Sequence, residues 1–114
     1  MGVRIYINTG KIVGKVKNAW QAALYPLSEQ VLTDCNEFCK QDKGGLIASS
    51  QTYSRPREGV LVWKTAYARR QYWKIRTASH DKNPRATWRW CEAAKRAYKK
   101  DWGKLAEKLM KENL

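Results

Sequence analysis

The stretch from Cys91 to the C-terminus places the tightest limit on how this chain can fold. Cys91, Ala94, Tyr98, Trp102, Leu105 and Leu109 recur at steps of three and four, the repeat that lays side chains along one stripe of an α-helix. The opposite face carries Lys95, Arg96, Lys99, Lys100, Lys104, Lys108 and Lys111. Such a helix must bury its stripe against the rest of the chain. With 114 residues there is enough polypeptide for one modest core and too little for two independent ones, so a single α+β domain over residues 1–114 is expected. The helix is predicted to begin near Ala86 or Thr87, with Thr87 as its cap. Gly103 lowers its helicity locally, and the late lysines complement its C-terminal dipole.

The rest of the pattern supplies what this helix could pack on. Val3, Ile5 and Ile7 alternate with Arg4, Tyr6 and Asn8, the period of a half-buried strand at 3–7. Gly10 and Gly14 bracket an unpatterned connection. Trp20, Leu24, Leu27, Val31, Cys35 and Phe38 then form another helical stripe, which predicts a helix to about Cys39, bent near Pro26 because proline lacks the N–H that a helix interior uses. Residues 41–45 read as a turn, and Arg55-Pro56-Arg57-Glu58-Gly59 as another. The runs beside the second turn predict a hairpin with strands at 46–54 and 59–65. Ala66–Trp73 is expected to form a short helix across one sheet edge, followed by a polar loop from Lys74 to Arg85. The expected architecture is a small antiparallel sheet packed against a long N-terminal helix and a C-terminal helix.

The residues argue for binding rather than catalysis. His80 is the one histidine; it stands beside Asp81 in a predicted loop with no activated nucleophile near it, and reads as a surface side chain. Cys35 and Cys39 could share a helix side, but with Cys91 and His80 they do not make a recognised zinc-ligand spacing. Three cysteines are an odd set for a disulfide framework, and read as buried or half-buried thiols. Gly44-Gly45 lacks the lysine and hydroxyl of a phosphate-cradling loop, and the ten acidic residues are scattered singly. No metal, cofactor or catalytic residue is expected, and no enzyme. The N-terminus lacks the apolar run of a signal peptide, and no segment approaches the roughly 18 apolar residues of a membrane span. The expected setting is the cytoplasm in which the chain is made, without a membrane partner.

Twenty-three Lys and Arg against ten Asp and Glu give a formal charge of +13, which favours an anionic partner. Six Trp and six Tyr supply large amphipathic rings suited to contact surfaces. The two properties meet in Trp63, Tyr67, Arg69, Arg70, Tyr72, Trp73 and Arg76. Tyr, Trp and Arg are enriched in binding hot spots, so Tyr67, Arg69, Arg70, Tyr72 and Trp73 are the candidate subunit or partner interface. Trp63 is expected to point inward, with Arg69, Arg70 and Trp73 outward. Lys95, Arg96, Lys99, Lys100 and Lys104 are the candidate DNA-facing set.

Three motifs in order carry a resemblance. Gly44-Gly45-Leu46 is followed by Ser49-Ser50; Thr65-Ala66-Tyr67-Ala68-Arg69-Arg70-Gln71-Tyr72-Trp73 comes next; Ala86-Thr87-Trp88-Arg89-Trp90 leads into the last helix. From about residue 20 to the C-terminus this order resembles the minor capsid proteins of tailed bacteriophages, and within them head-tail joining (neck) components. Residues 36–43 read NEFCKQDK where members often carry Tyr and Pro, and a Gly-rich stretch before the last helix is absent. The resemblance implies a small α+β subunit of a homo-oligomeric ring in the virion neck. Its partners would be adjacent head-completion or connector proteins and tail-terminator proteins, with non-specific contact to packaged DNA. Two other readings are a tail terminator and a free basic nucleic-acid-binding module.

Overall fold

The computed structural model describes residues 2–7, 15–41, 45–80 and 83–114. The elements run β1 (Val3–Tyr6), α1 (Lys15–Glu37), α2 (Gly45–Tyr53), a 3₁₀ turn (Pro56–Glu58), β2 (Val60–Trp63), α3 (Ala68–Trp73) and α4 (Trp90–Glu112). The fold is α+β, with a two-stranded antiparallel sheet and long helices near both ends. The connection bracketed by Gly10 and Gly14, most of the predicted 41–45 turn and Asp81 lie outside the described residues.

α1 and α4 form the principal helix pair. They run antiparallel, because Glu37 accepts from the Tyr98 hydroxyl (2.6 Å) while Asp34, one turn earlier, accepts from Trp102 Nε1 (2.7 Å) one turn later. The stripe expected on α4 faces the core, with Cys91 and Ala94 buried and Tyr98, Trp102, Leu105 and Leu109 half-buried. α1 buries a wider face than its stripe, including Ala19, Ala23, Ser28 and Leu32, because α4 is not its only neighbour: the 3₁₀ turn and β2 also pack on it. Pro26 stands inside α1 without ending it. The carbonyl whose helical hydrogen bond it removes belongs to Ala22, an exposed residue, where water can replace the lost donor.

The expected strand at 46–54 is helix α2 instead, and the hairpin does not form. Ser49 and Ser50 donate their hydroxyls to the Leu46 and Ile47 carbonyls (both 2.7 Å), and Thr52 donates to Ala48 (3.2 Å). Hydroxyls that favour strands by composition are thus absorbed by the helix's own backbone, and the buried residues Leu46, Ser49 and Ser50 fall at helical spacing. β2 forms within 59–65 as expected, but pairs with β1 in the register Val3↔Trp63, Arg4↔Val62, Ile5↔Leu61 and Tyr6↔Val60. Of the predicted hairpin, a single bridge between Arg55 and Val60 remains among the described residues.

α2 still serves β2, through side chains. The Val62 N–H donates to Ser54 Oγ (2.9 Å) and the Lys64 N–H to Ser49 Oγ (3.0 Å). Hydroxyls therefore occupy the β2 edge that a second hairpin strand would have covered. Gly59 closes the turn at φ +71, and a Cβ there would lie 3.1 Å from Leu24 Cδ1 and 3.2 Å from Ile7 Cβ. Both the left-handed backbone and the crowding call for glycine.

Trp63 is 0% exposed and reaches α1 through Nε1–H···Oδ1 of Asn36 (2.9 Å), while Asn36 Nδ2 donates to Ser50 Oγ (2.9 Å). Asn36→Ala is expected to lower stability by about 2–3 kcal/mol, because a fully buried indole N–H loses its acceptor. Gly59→Ala is expected to cost about 1–3 kcal/mol through left-handed strain and overpacking. Urea denaturation at unchanged m-value measures both.

Candidate functional site

α3 carries most of the predicted interface. Tyr67 and Trp73 are each nearly half exposed, at 47% and 49%, and Arg69 and Arg70 project to solvent. Tyr72 is the exception: at 1% exposure it belongs to the core. On a six-residue helix, Ala68 and Tyr72 are one turn apart and share the inward face, leaving Arg69, Arg70 and Trp73 outside. The sequence placed Tyr72 among the displayed rings because composition does not distinguish an anchor from a contact; the spacing from Ala68 was the available signal.

Tyr72 joins the surface rings to the interior. Its ring meets Trp73 edge-on (4.8 Å) and Trp90 edge-on (4.7 Å), and Trp90 meets Trp63 at 6.1 Å. On the outer side, Arg89 stands over Trp73 (5.5 Å) and Trp88 (5.4 Å), and Arg76 over Trp88 (4.9 Å). Rings and guanidiniums therefore alternate from Arg76 through Trp88 and Arg89 to Trp73, backed by the buried aromatic core. Cation–π stacking of this kind orders arginines that solvent would otherwise leave mobile.

Arg89 holds this arrangement at a backbone cost. It occupies the position before α4 with φ 51 and ψ 49, a left-handed conformation worth about 1–2 kcal/mol of strain for a residue with a Cβ. Opposing that strain, its N–H donates to the Tyr72 carbonyl (3.0 Å) and its guanidinium pairs with Glu92. Thr87 does not cap α4 as expected; its N–H donates to the Phe38 carbonyl, and the helix begins three residues later at Trp90.

The loop after α3 is fixed by Lys40, a residue the sequence did not single out. Lys40 is 4% exposed, and its ammonium donates to the Gln71 carbonyl (2.9 Å), Gln71 Oε1 (3.0 Å) and the Ile75 carbonyl. A cation at these carbonyls satisfies acceptors that the end of α3 leaves open and complements the helix dipole. Beside it, Arg69, Arg70, Trp73, Lys74 and Ile75 line an open groove of about 770 Å³. Among the described residues, no carboxylate pairs with Arg69, Arg70, Lys74 or Arg76.

The second candidate set is exposed as expected. Lys95, Arg96, Lys99, Lys100 and Lys104 all lie on the solvent face of α4, and Lys108 and Lys111 further along it pair with Glu112 (4.0 Å) and Glu107 (3.2 Å). His80 is exposed, with Nε2 3.0 Å from the Ala86 carbonyl. Cys35, Cys39 and Cys91 are all buried free thiols. Burial pushes the Cys39 and Cys91 thiols far above their ordinary range, and neighbouring cysteines push both further. Among the described residues no helix is long and apolar enough to cross a membrane.

A protein-family model described as minor capsid protein matches residues 3–110. Comparison with curated proteins and with solved structures found no match.

The division between anchor and contact is measurable. Tyr72→Ala is expected to cost about 3–5 kcal/mol, as truncation of a buried aromatic does, whereas Trp73→Ala should stay within about 1 kcal/mol of the parent; thermal melts followed by far-UV circular dichroism compare them. The three buried cysteines should react with a thiol reagent at mildly alkaline pH only as fast as the protein opens, since burial keeps the reagent out and, at Cys39 and Cys91, also suppresses the reactive thiolate. Rapid labelling of the native protein would contradict that.

Proposed function

The chain belongs to the minor capsid protein family, and from that premise we propose that it is a non-enzymatic ring subunit of the head-tail neck, between the portal complex and the tail of a tailed phage. Membership of this family makes it a structural protein of the virion. The neck position rests on the order of motifs from Gly44-Gly45-Leu46 through Tyr67–Trp73 to the Trp88-Arg89-Trp90 entry into α4. The observation that carries the reading is that the family match spans nearly the whole chain, so the surfaces displayed by this core are those available for assembly.

Two of them suit repeated contacts. The outer edge of β1 is one: Val60 and Val62 direct their N–H groups to Arg55 and Ser54, away from β1. Their partners Arg4 and Tyr6 are therefore non-hydrogen-bonded pairs whose backbone groups face away from β2. An unpaired edge can accept a neighbouring chain, and a ring needs one patch to meet a different patch on the next subunit. The α3 surface with Tyr67, Arg69, Arg70 and Trp73 is the other, a side that each subunit of a ring can turn to a partner other than its neighbouring copy.

Electron microscopy of particles from a phage lacking this gene tests the neck position. Filled or leaking heads beside separate tails of normal length are expected. Overlong tails would move the protein to the tail terminus, and intact infectious particles would refute a structural role there. Arg69→Glu combined with Arg70→Glu should leave the protein folded and block its incorporation into particles, read by immunoblotting of purified virions.

A further inference from the structure

We propose that the groove on α3 binds the phosphodiester backbone of nucleic acid, and that this groove, rather than the lysine face of α4, is the protein's principal DNA contact. The proposal rests on the reading of α3 as an assembly surface, and not on where in the particle the ring sits.

Charge accounting among the described residues favours a partner other than a second copy of this chain as the occupant. Arg69, Arg70, Lys74 and Arg76 have no carboxylate partner among the described residues. Most described carboxylates are already engaged. Asp34 accepts from Trp102 and Gln30, Glu37 from Tyr98 and Arg85, and Glu58, Glu92, Glu107 and Glu112 pair with cations of their own chain. Among the described carboxylates, Glu29 and Asp101 are the exposed ones that pair with no cation. A neighbouring copy would bring a formal charge of +13 to the groove and two free described carboxylates to offset it. An occupant that is anionic in its own right fits these cations better.

The form of the groove favours a phosphate backbone over an acidic peptide. Protein hot spots centre on anchors in desolvated pockets. Here the apolar lining is Trp73 and Ile75, and the rest of the wall is cationic and open. A duplex presents one negative charge per about 1.7 Å of axis, enough to meet several closely spaced cations together. Three of the four unpaired cations are arginines, whose planar donors match phosphate oxygens in pairs. Arg76, stacked on Trp88, uses its face for the indole and keeps its N–H edge for an acceptor. The α4 lysines do not line this groove.

The test is fluorescence anisotropy of a short fluorescein-labelled duplex of mixed sequence with the purified protein, between about 50 and 200 mM salt. Arg69→Ala with Arg70→Ala is compared with Lys99→Ala with Lys100→Ala, which removes equal charge from α4. All four residues are exposed, and circular dichroism verifies that each variant folds. The arginine pair is expected to weaken binding about tenfold or more and to flatten the salt dependence by about two contacts, with less than about threefold loss for the lysine pair. Equal losses would mean that diffuse charge alone binds DNA and would overturn the groove. So would an absence of duplex binding at the lowest salt. Polyglutamate competing better than unlabelled duplex at equal charge would overturn it in favour of an acidic protein partner. Because no phage particle enters this assay, its failure is separable from failure of the neck assignment.

Discussion

A buried indole sets the terms for the rest of the fold. Trp63 is completely enclosed, and burying a side chain of this size contributes about 4–6 kcal/mol from apolar area alone. Its one polar atom must take a partner inside the protein. Trp63 Nε1 donates to Asn36 of α1, Asn36 donates to Ser50 of α2, and Ser50 donates to the Ile47 carbonyl. This relay joins β2, α1 and α2. It also accounts for the helical form of 45–53: as α2, the segment directs Ser50 toward Asn36 while Ser49 meets the backbone of β2.

On the other side of Trp63, the core becomes an aromatic stack that leads to the surface. Trp90 and Tyr72 continue it, and Trp73 and Trp88 emerge with arginines against their faces. The displayed surface is therefore anchored by the same rings that stabilise the interior. Arg89 is the hinge of that continuity, carrying left-handed strain while linking the start of α4 to the Tyr72 carbonyl. Lys40 fixes the same C-terminal end of α3 through the Gln71 and Ile75 carbonyls. A contact surface held by packing and buried hydrogen bonds loses less conformational entropy on binding than a mobile loop.

Nearly the whole chain falls within a family of structural virion proteins, and the described surface offers an open β1 edge, a cationic groove and a lysine-rich helix face. They differ in chemistry: backbone groups at a strand edge, arginine donors beside an indole, and solvated charge.

Local periodicity was enough to establish β1, the helix through Pro26 and the stripe of α4, because in each the spacing of apolar residues matches one face that must be buried. It also identified Arg69, Arg70 and Trp73 as outward residues beside an inward Trp63. Three outcomes were beyond it. Leu46–Tyr53 has strand-like composition, and only hydroxyl bonding within the helix and to β2 makes it α2. Tyr72 looks like its displayed neighbours until α3 turns it against Trp90. Lys40 and Arg89 are ordinary cations in the sequence, and become structural only where folding brings the end of α3 to one and two indoles to the other. What a sequence window encodes is which face a segment buries; which acceptors and rings meet that face depends on elements tens of residues away, and only the tertiary structure decides it.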